Sequence, residues 1–438
     1  MAKLFPFRAY RYNPQAVGDV SDVVTQPYDK ISEQMRKNYL ERHPANIVRV
    51  IKNADHDEAA QYLNRWIEEG VLRQDASPAF YPYEQIFDFE GETFSRLGFI
   101  GLISLQDADI AVKGHEKILQ EPLEDRLKLI RATISNEGLI FMLYSDIHMQ
   151  VDDLLGSFRE IRPPITEMVD DYGVKHRLWQ LLDSNLQEQI AMSLQKIPLY
   201  IADGHHRFQT SHLYFRECLE KGWKTQAVES FDKRMVALFN MEAAGLRILP
   251  THRGIRNLED FRLKQLLSRL ELCFEIEILE DPDNLETCMR SDGKRIGLTV
   301  KSPGRFYCLK LKSGALDDSE FMPEVGGPAR ELDVNLLHEG ILRPFLGIGA
   351  QELSSQKYVD YFRSRDELLE QLRQGKYQAA FFLNPTTLEQ VRQISELGEK
   401  MPQKSTDFYP KLLSGLVLMK MRIDKEAIEK VIKGYERL

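Results

Sequence analysis

Leu199-Tyr-Ile-Ala-Asp-Gly-His-His-Arg-Phe-Gln-Thr-Ser-His212 concentrates more chemistry than any other stretch of the chain. Ile197 to Ile201 is a short apolar run of the kind that forms a buried strand. Asp203 and Gly204 make a turn pair. A helical pattern then carries Phe208, Leu213 and Phe215 among polar residues to about Lys221. The expected unit is strand, tight turn, helix, with His205, His206 and Arg207 in the first helical turn. The first N–H groups of a helix have no intrahelical partner and sit at the positive end of its dipole, where phosphate binds well. Gly204 lets a ligand approach the backbone. Arg207 can fork onto phosphate oxygens, and His205 or His206 can donate to them. Asp203 is the expected N-cap and offsets part of this positive charge.

The 438 residues are more than one ordinary domain needs. A hydrophobic content of 43% with 29% charged residues is that of a globular protein with a core. The net charge of −9 and the lack of any Lys/Arg-rich block argue against a nucleic-acid partner. Cys218, Cys273, Cys288 and Cys308 form no C-x-x-C pair, so a zinc-finger type of site is not expected. Four scattered thiols fit a reducing, cytoplasmic setting. Met1 to Arg8 lacks the apolar core of a secretory signal, and no run of about 18 apolar residues calls for a membrane span.

Outward from the central stretch, Val23 to Thr25 and Asn46 to Ile51 suit strands, and Ser32 starts a helix to about Glu41. Asp55 to Leu72 is an amphipathic helix, with Ala59, Leu63, Trp66, Ile67 and Val71 at helical spacing. Ala79 to Phe89, Glu90-Gly-Glu92 and Thr93 to Leu105 form a hairpin pattern, with Gly98 and Gly101 allowing close backbone approach or a bulge. Pro122 opens a helix to about Ser135, and Ile140 to Tyr144 is a buried strand. Two short strands are expected near 165–170 and 174–178, and a further strand at Arg234 to Met241. Beyond about 256 helices and strands alternate, with a polar loop from Lys312 to Arg330, a helix at Leu332 to Glu339, a loop at Met401 to Lys411 and a final helix from Lys425.

Four polar clusters need a reason: Asp29; His115 with Glu116; Asp203 to Arg207; and His252 with Arg253. No H-E-x-x-H occurs, so no dedicated metal site is expected, and a Mg²⁺ carried by a phosphate substrate fits better. There is no P-loop, no G-x-G-x-x-G and no G-x-S-x-G. Ser211 and Ser405 have no base that sequence can place, which leaves a serine hydrolase unsupported. The Met401–Lys411 loop either is simply solvated or acts as a lid bringing Lys404 to a phosphate. His338 reads as structural.

Ala202-Asp-Gly-His-His-Arg207 resembles the hallmark box of a widespread bacterial and archaeal family known only as a domain of unknown function. Pro27-Tyr-Asp29, Gly114-His-Glu116, Asp125-Arg126, Leu249-Pro-Thr-His-Arg253, Leu332-Asp-Val334, Leu337-His338, Phe382-Leu-Asn-Pro385 and Met401-Pro-Gln-Lys-Ser-Thr406 extend that resemblance over essentially the whole chain. The box also resembles the phosphate-binding box of the ParB/sulfiredoxin-like superfamily, which includes free-serine kinases. Sulfiredoxins have a catalytic cysteine in this box. His205 and no cysteine stands here, so their chemistry is excluded.

The resemblance implies an α+β protein, with a ParB/sulfiredoxin-like nucleotide-binding α/β domain over residues 1–255 and a second α/β domain over 256–438. It implies a kinase that uses ATP or ADP with Mg²⁺ on a small hydroxyl substrate, free L-serine being the expected acceptor. Gly204, His205, His206 and Arg207 then cradle phosphates, while Asp203 caps the helix or contacts Mg²⁺. Glu116 or Asp29 is the base. His115, His252 and Arg253 hold the substrate carboxylate or stabilise the transferring group, and Lys404 assists from its loop. A nucleotide-binding regulatory protein without turnover and a phosphohydrolase are the alternatives.

Overall fold

A computed structural model describes residues 2–106, 108–118, 120–225, 227–301 and 304–424. Its α+β chain divides into two compact units. The first holds Met1–Gly114, Ile118–Arg247 and Pro410–Leu438, and the second holds His115–Lys117 and Ile248–Tyr409. Compactness thus breaks the chain after Arg247 rather than at about 255, and it gives the last stretch of the chain to the first unit. The helix expected from Lys425 lies outside the described residues.

In the first unit a nine-stranded sheet is built from β1 (Leu4–Phe5), β2 (Tyr81–Phe89), β3 (Glu92–Ser104), β4 (Val112–Lys113), β5 (Ile140–Tyr144), β6 (Thr166–Val169), β7 (Lys175–Leu178), β8 (Leu199–Asp203) and β9 (Lys233–Asn240). Its order is β4-β8-β5-β9-β3-β2-β7-β6, with β1 also paired to β3. The central strand β5 is apolar and buried at every position, which is what a strand covered on both faces requires. It runs parallel to β9 and antiparallel to β8. The hairpin of β2 and β3 turns at Glu90 and Gly91, both with positive φ. The β3 glycines serve close approach: a Cβ on Gly98 would strike the Leu238 carbonyl, and one on Gly101 would come within 2.8 Å of the Phe80 ring.

The helices of this unit include α1 (Glu33–Arg42), α2 (Val48–Ile51), α3 (His56–Glu68), α4 (Gln120–Thr133) and α5 (His205–Glu220). Ser32 and Asp55 cap α1 and α3 as their sequences demand. α4 packs against both α3 and α5. Two expected strands are absent. Asn46 to Ile51 is the short helix α2, because the buried Asn46 amide accepts the Val48 N–H at 2.9 Å and donates to the Asp22 carbonyl at 2.7 Å. That side chain offers the backbone a turn in place of a ladder. Val48, Val50 and Ile51 still reach a core, packed with Leu63 and Trp66 of α3. Val23 to Thr25 forms only a single bridge, from Thr25 to Ser414.

The second unit carries a six-stranded antiparallel sheet of β10 (His252–Ile255), β11 (Phe274–Leu279), β12 (Arg295–Val300), β13 (Phe306–Leu311), β14 (Val359–Phe362) and β15 (Ala379–Phe382). Its order is β11-β13-β12-β15-β10-β14. Helix α6 (Pro282–Met289), capped by Asp281, covers one face, and Cys288 on it is disulfide-bonded to Cys308 on β13. Two of the four cysteines are therefore not the scattered thiols their spacing indicates, because the sheet brings them together across 20 residues of chain.

Candidate phosphate-binding site

β8 delivers Asp203 at its end, and Gly204 then turns the chain into α5. Gly204 has φ +97°, a left-handed conformation that side chains resist. It carries no side chain to cap the first turn of the 16-residue helix. Asp203 is not the N-cap expected from its position. Its carboxylate instead accepts the Arg207 Nη2 at 2.8 Å and the Lys411 Nζ at 3.1 Å, while Arg207 Nη1 donates to the Leu139 carbonyl. Two cations, one of them a 3%-exposed lysine, reach this carboxylate, and Gly204, not Asp203, holds the N-cap position of α5. Burial pushes the Asp203 carboxyl up, but Lys411, Arg207 and Lys30 pull it far below the usual carboxylate range. The turn is thus pinned by an ionised triad, and His205 and His206 follow it into the first helical turn. His205 is buried and lies against Gly114, whose Cβ would come 3.1 Å from its ring.

A small cavity of about 40 Å³ adjoins Arg207. Arg126 and Arg234 line it as well, with Tyr28 and Glu137. Arg126 lies 4.2 Å over the Tyr28 ring and is paired with Asp125. Burial pushes the Tyr28 hydroxyl up to about 12, helped by Asp29 and opposed by Arg126 and Arg207. Asp29 itself is exposed. It stands between Tyr28, which feels Arg207, and Lys30, which feels Asp203.

The second unit gathers the other expected residues. His115 Nε2 lies 3.1 Å from the Thr406 hydroxyl, and Glu116 accepts the Lys404 N–H at 3.3 Å. Arg253 is 1% exposed, donates to the carbonyls of Thr251 and Lys404, and lies 5.2 Å from the Tyr361 ring. Among the described residues no carboxylate pairs with it. His252 accepts the Leu383 N–H at 3.3 Å, and burial, then Arg253 and Arg365, push it down to about 4. His338 is buried, and among the described residues neither ring nitrogen has a hydrogen-bond partner. Asp29 and Asp203 to Arg207 therefore belong to the first unit, while His115, Glu116, His252, Arg253 and Lys404 belong to the second.

Sequence reasoning missed Lys411, Tyr28 and Arg234. Lys411 lies 208 residues from the carboxylate it binds, and nothing local marks that pairing. Arg234 did carry a signal, as a lone arginine in the apolar strand β9. Among the described residues no group of three or more His, Cys, Asp or Glu is placed to hold a metal ion, and no helix is long and apolar enough to cross a membrane.

Fold and site define an α+β protein in which a strand–glycine–helix turn carries two histidines beside a half-buried ionic triad. The chain belongs to the family described as "Protein of unknown function (DUF1015)", which matches residues 4–335. No curated protein matches it in sequence. Among solved structures, a mutant free serine kinase in complex with AMP is 14% identical with a TM-score of 0.36, over 70% of this chain and 87% of that one. SbnI with a C-terminal truncation, from Staphylococcus aureus, is 12% identical with a TM-score of 0.36, over 72% and 85%. A conserved hypothetical protein from Pyrococcus furiosus is 13% identical with a TM-score of 0.34, over 71% and 91%.

Proposed function

We propose that the N-terminus of α5 binds the phosphates of ATP or ADP, and that the protein is a ParB/sulfiredoxin-like kinase acting on a small hydroxyl substrate, free L-serine being the acceptor. The observation that carries this reading is the left-handed Gly204 turn, held by the Asp203–Arg207–Lys411 triad, at the start of a helix whose first turn carries His205 and His206 and, among the described residues, has no side-chain cap. Phosphoryl transfer needs little beyond such positioning and charge stabilisation. Because both Asp203 oxygens are engaged, Asp203 acts as a positioning residue.

Asp29 is exposed and lies in sequence between Tyr28, on which Arg207 acts, and Lys30, which acts on Asp203, so it suits the base. The acceptor oxygen bonds to the terminal phosphorus, the bond to the departing nucleotide oxygen breaks, and the hydroxyl proton passes to Asp29. Mg²⁺ keeps most of its waters and needs one or two carboxylates besides phosphate. Asp29 fits that role too, and the ion supplies neutralisation of the phosphate charge. Glu116, bonded to Lys404, is the alternative base. In the second unit Arg253, with His115, His252 and Lys404, suits a substrate carboxylate, since among the described residues no carboxylate pairs with its guanidinium.

The test is a transfer assay with Mg²⁺, ATP or ADP and a panel of amino acids and small alcohols, with products read by mass. O-phosphoserine is expected from the wild type, at least about tenfold less from His206→Ala and Arg207→Ala, and almost none from Asp29→Asn. Full activity in both Asp29→Asn and Glu116→Gln would remove both bases. Nucleotide binding with no product from any acceptor would leave the regulatory reading, which the engagement of the Arg207 head by Asp203 and Leu139 favours. Inorganic phosphate as the sole product would make the protein a phosphohydrolase.

A further inference from the structure

The cavity beside α5 shares Arg207 with the first turn of the helix, but Arg126 and Arg234 on its wall are not used by the reaction above. Its cationic wall comes from three elements: Arg207 on α5, Arg126 on α4 and Arg234 on β9. Arg234 is the anomaly. It is 5% exposed and donates Nη2 to the Gly138 carbonyl at 2.6 Å, while its buried Nε–H has no acceptor. A buried donor left unmade is costly, more so when charged, so such a group is rarely kept without a use. Hydroxyls of Tyr28 and Ser414 also line the space.

Charge points the same way. Arg126 is paired with Asp125, Arg207 with Asp203, and Glu137 is the carboxylate that acts on Arg234. Lys411 also bonds to Asp203, so Arg207 does not hold that carboxylate alone. Glu137 is further occupied by the hydroxyls of Thr133, at 2.6 Å, and Ser135, at 2.7 Å. The cavity has room for about three waters, or for one small anion in their place. Burial, then the charge of Arg207, pushes Arg234 down to about 9, with Glu137 opposing.

We propose that this cavity is a binding site for a small inorganic oxyanion of the phosphate and sulfate class, seated between Arg126, Arg207 and Arg234 and accepting the Arg234 Nε–H. It stands whether or not α5 binds a nucleotide. Through Arg207 the anion adjoins the Asp203 triad, so its occupancy stabilises the turn at Gly204.

Calorimetric titration of the full chain with inorganic phosphate and with sulfate, against chloride as control, tests this directly. The wild type should bind one oxyanion per chain. Arg234→Met should weaken that binding at least about tenfold while leaving ADP affinity unchanged, and His206→Ala should do the reverse. If Arg234→Met does not fold, Ser211→Val serves: its extra bulk fills the cavity and leaves all three guanidinium groups in place. Loss of oxyanion binding in Ser211→Val supports the site. Unchanged phosphate and sulfate binding in either folded variant, or full displacement of the oxyanion by ADP, places the anion elsewhere and overturns the proposal. No heat and no thermal stabilisation from either anion in the wild type overturns it as well, making the cavity a solvated structural cluster. A failure of ADP to bind, with oxyanion binding intact, counts against the kinase reading alone.

Discussion

Gly204 is the residue on which the box turns. An alanine there must hold a left-handed backbone, at a cost of about 1–2 kcal/mol. Its Cβ would also stand 3.2 Å from the Arg207 guanidinium. Gly204→Ala is therefore expected to lower stability by that amount in urea unfolding and to weaken nucleotide binding in calorimetry. His252 gives a pH signature. Its folded value of about 4 lies below the unfolded value of about 6.5, because burial, Arg253 and Arg365 all disfavour the cation. Between those values the unfolded chain binds the extra proton, so stability is full above pH 6.5 and falls as pH drops towards 4. The loss approaches about 3 kcal/mol. Stability measured against pH should show that slope in the wild type, and His252→Asn should flatten it while keeping an acceptor for the Leu383 N–H.

Single elements were legible where local pattern and burial agree. The hairpin of β2 and β3, the capped helices α1 and α3, the all-apolar β5 and the strand–glycine–helix unit of β8 and α5 all stand within a few residues of where the sequence puts them. Asn46 to Ile51 did not, because a β-branched run yields to a buried asparagine that satisfies a turn. The pairing of Cys288 with Cys308 was likewise hidden, since helix α6 and strand β13 meet only through sheet packing. That bond closes a loop of 20 residues, which corresponds to about 3 kcal/mol in a chain-entropy account. Dithiothreitol, or Cys288→Ser, should lower the melting temperature of the second unit. Equal melting with and without reductant would mean the bond does not form in solution.

At the scale of the whole molecule, ligand linkage gives the clearest test. ADP at about 100 times its Kd should stabilise the folded chain by about 2.7 kcal/mol, and a tenfold weaker His206→Ala should keep about 1.4 kcal/mol of that gain at the same ADP concentration. Hydrogen exchange should place the added protection at 205–220, the segment whose first turn is the proposed phosphate site. Protection confined to the second unit would move the nucleotide site there.

By itself the sequence determined the α+β class, the strand–turn–helix box and the residue types available for anion binding, because turn chemistry, capping and hydrophobic period act over a few neighbouring residues. Only the tertiary structure decided which charges meet. Asp203 takes Lys411 and Arg207 in place of a helix cap, Arg234 comes to the wall of a cavity with Arg126 and Arg207, and the expected site residues divide between two units. Those outcomes depend on long-range packing, in which desolvated charges choose partners by distance in space and not along the chain.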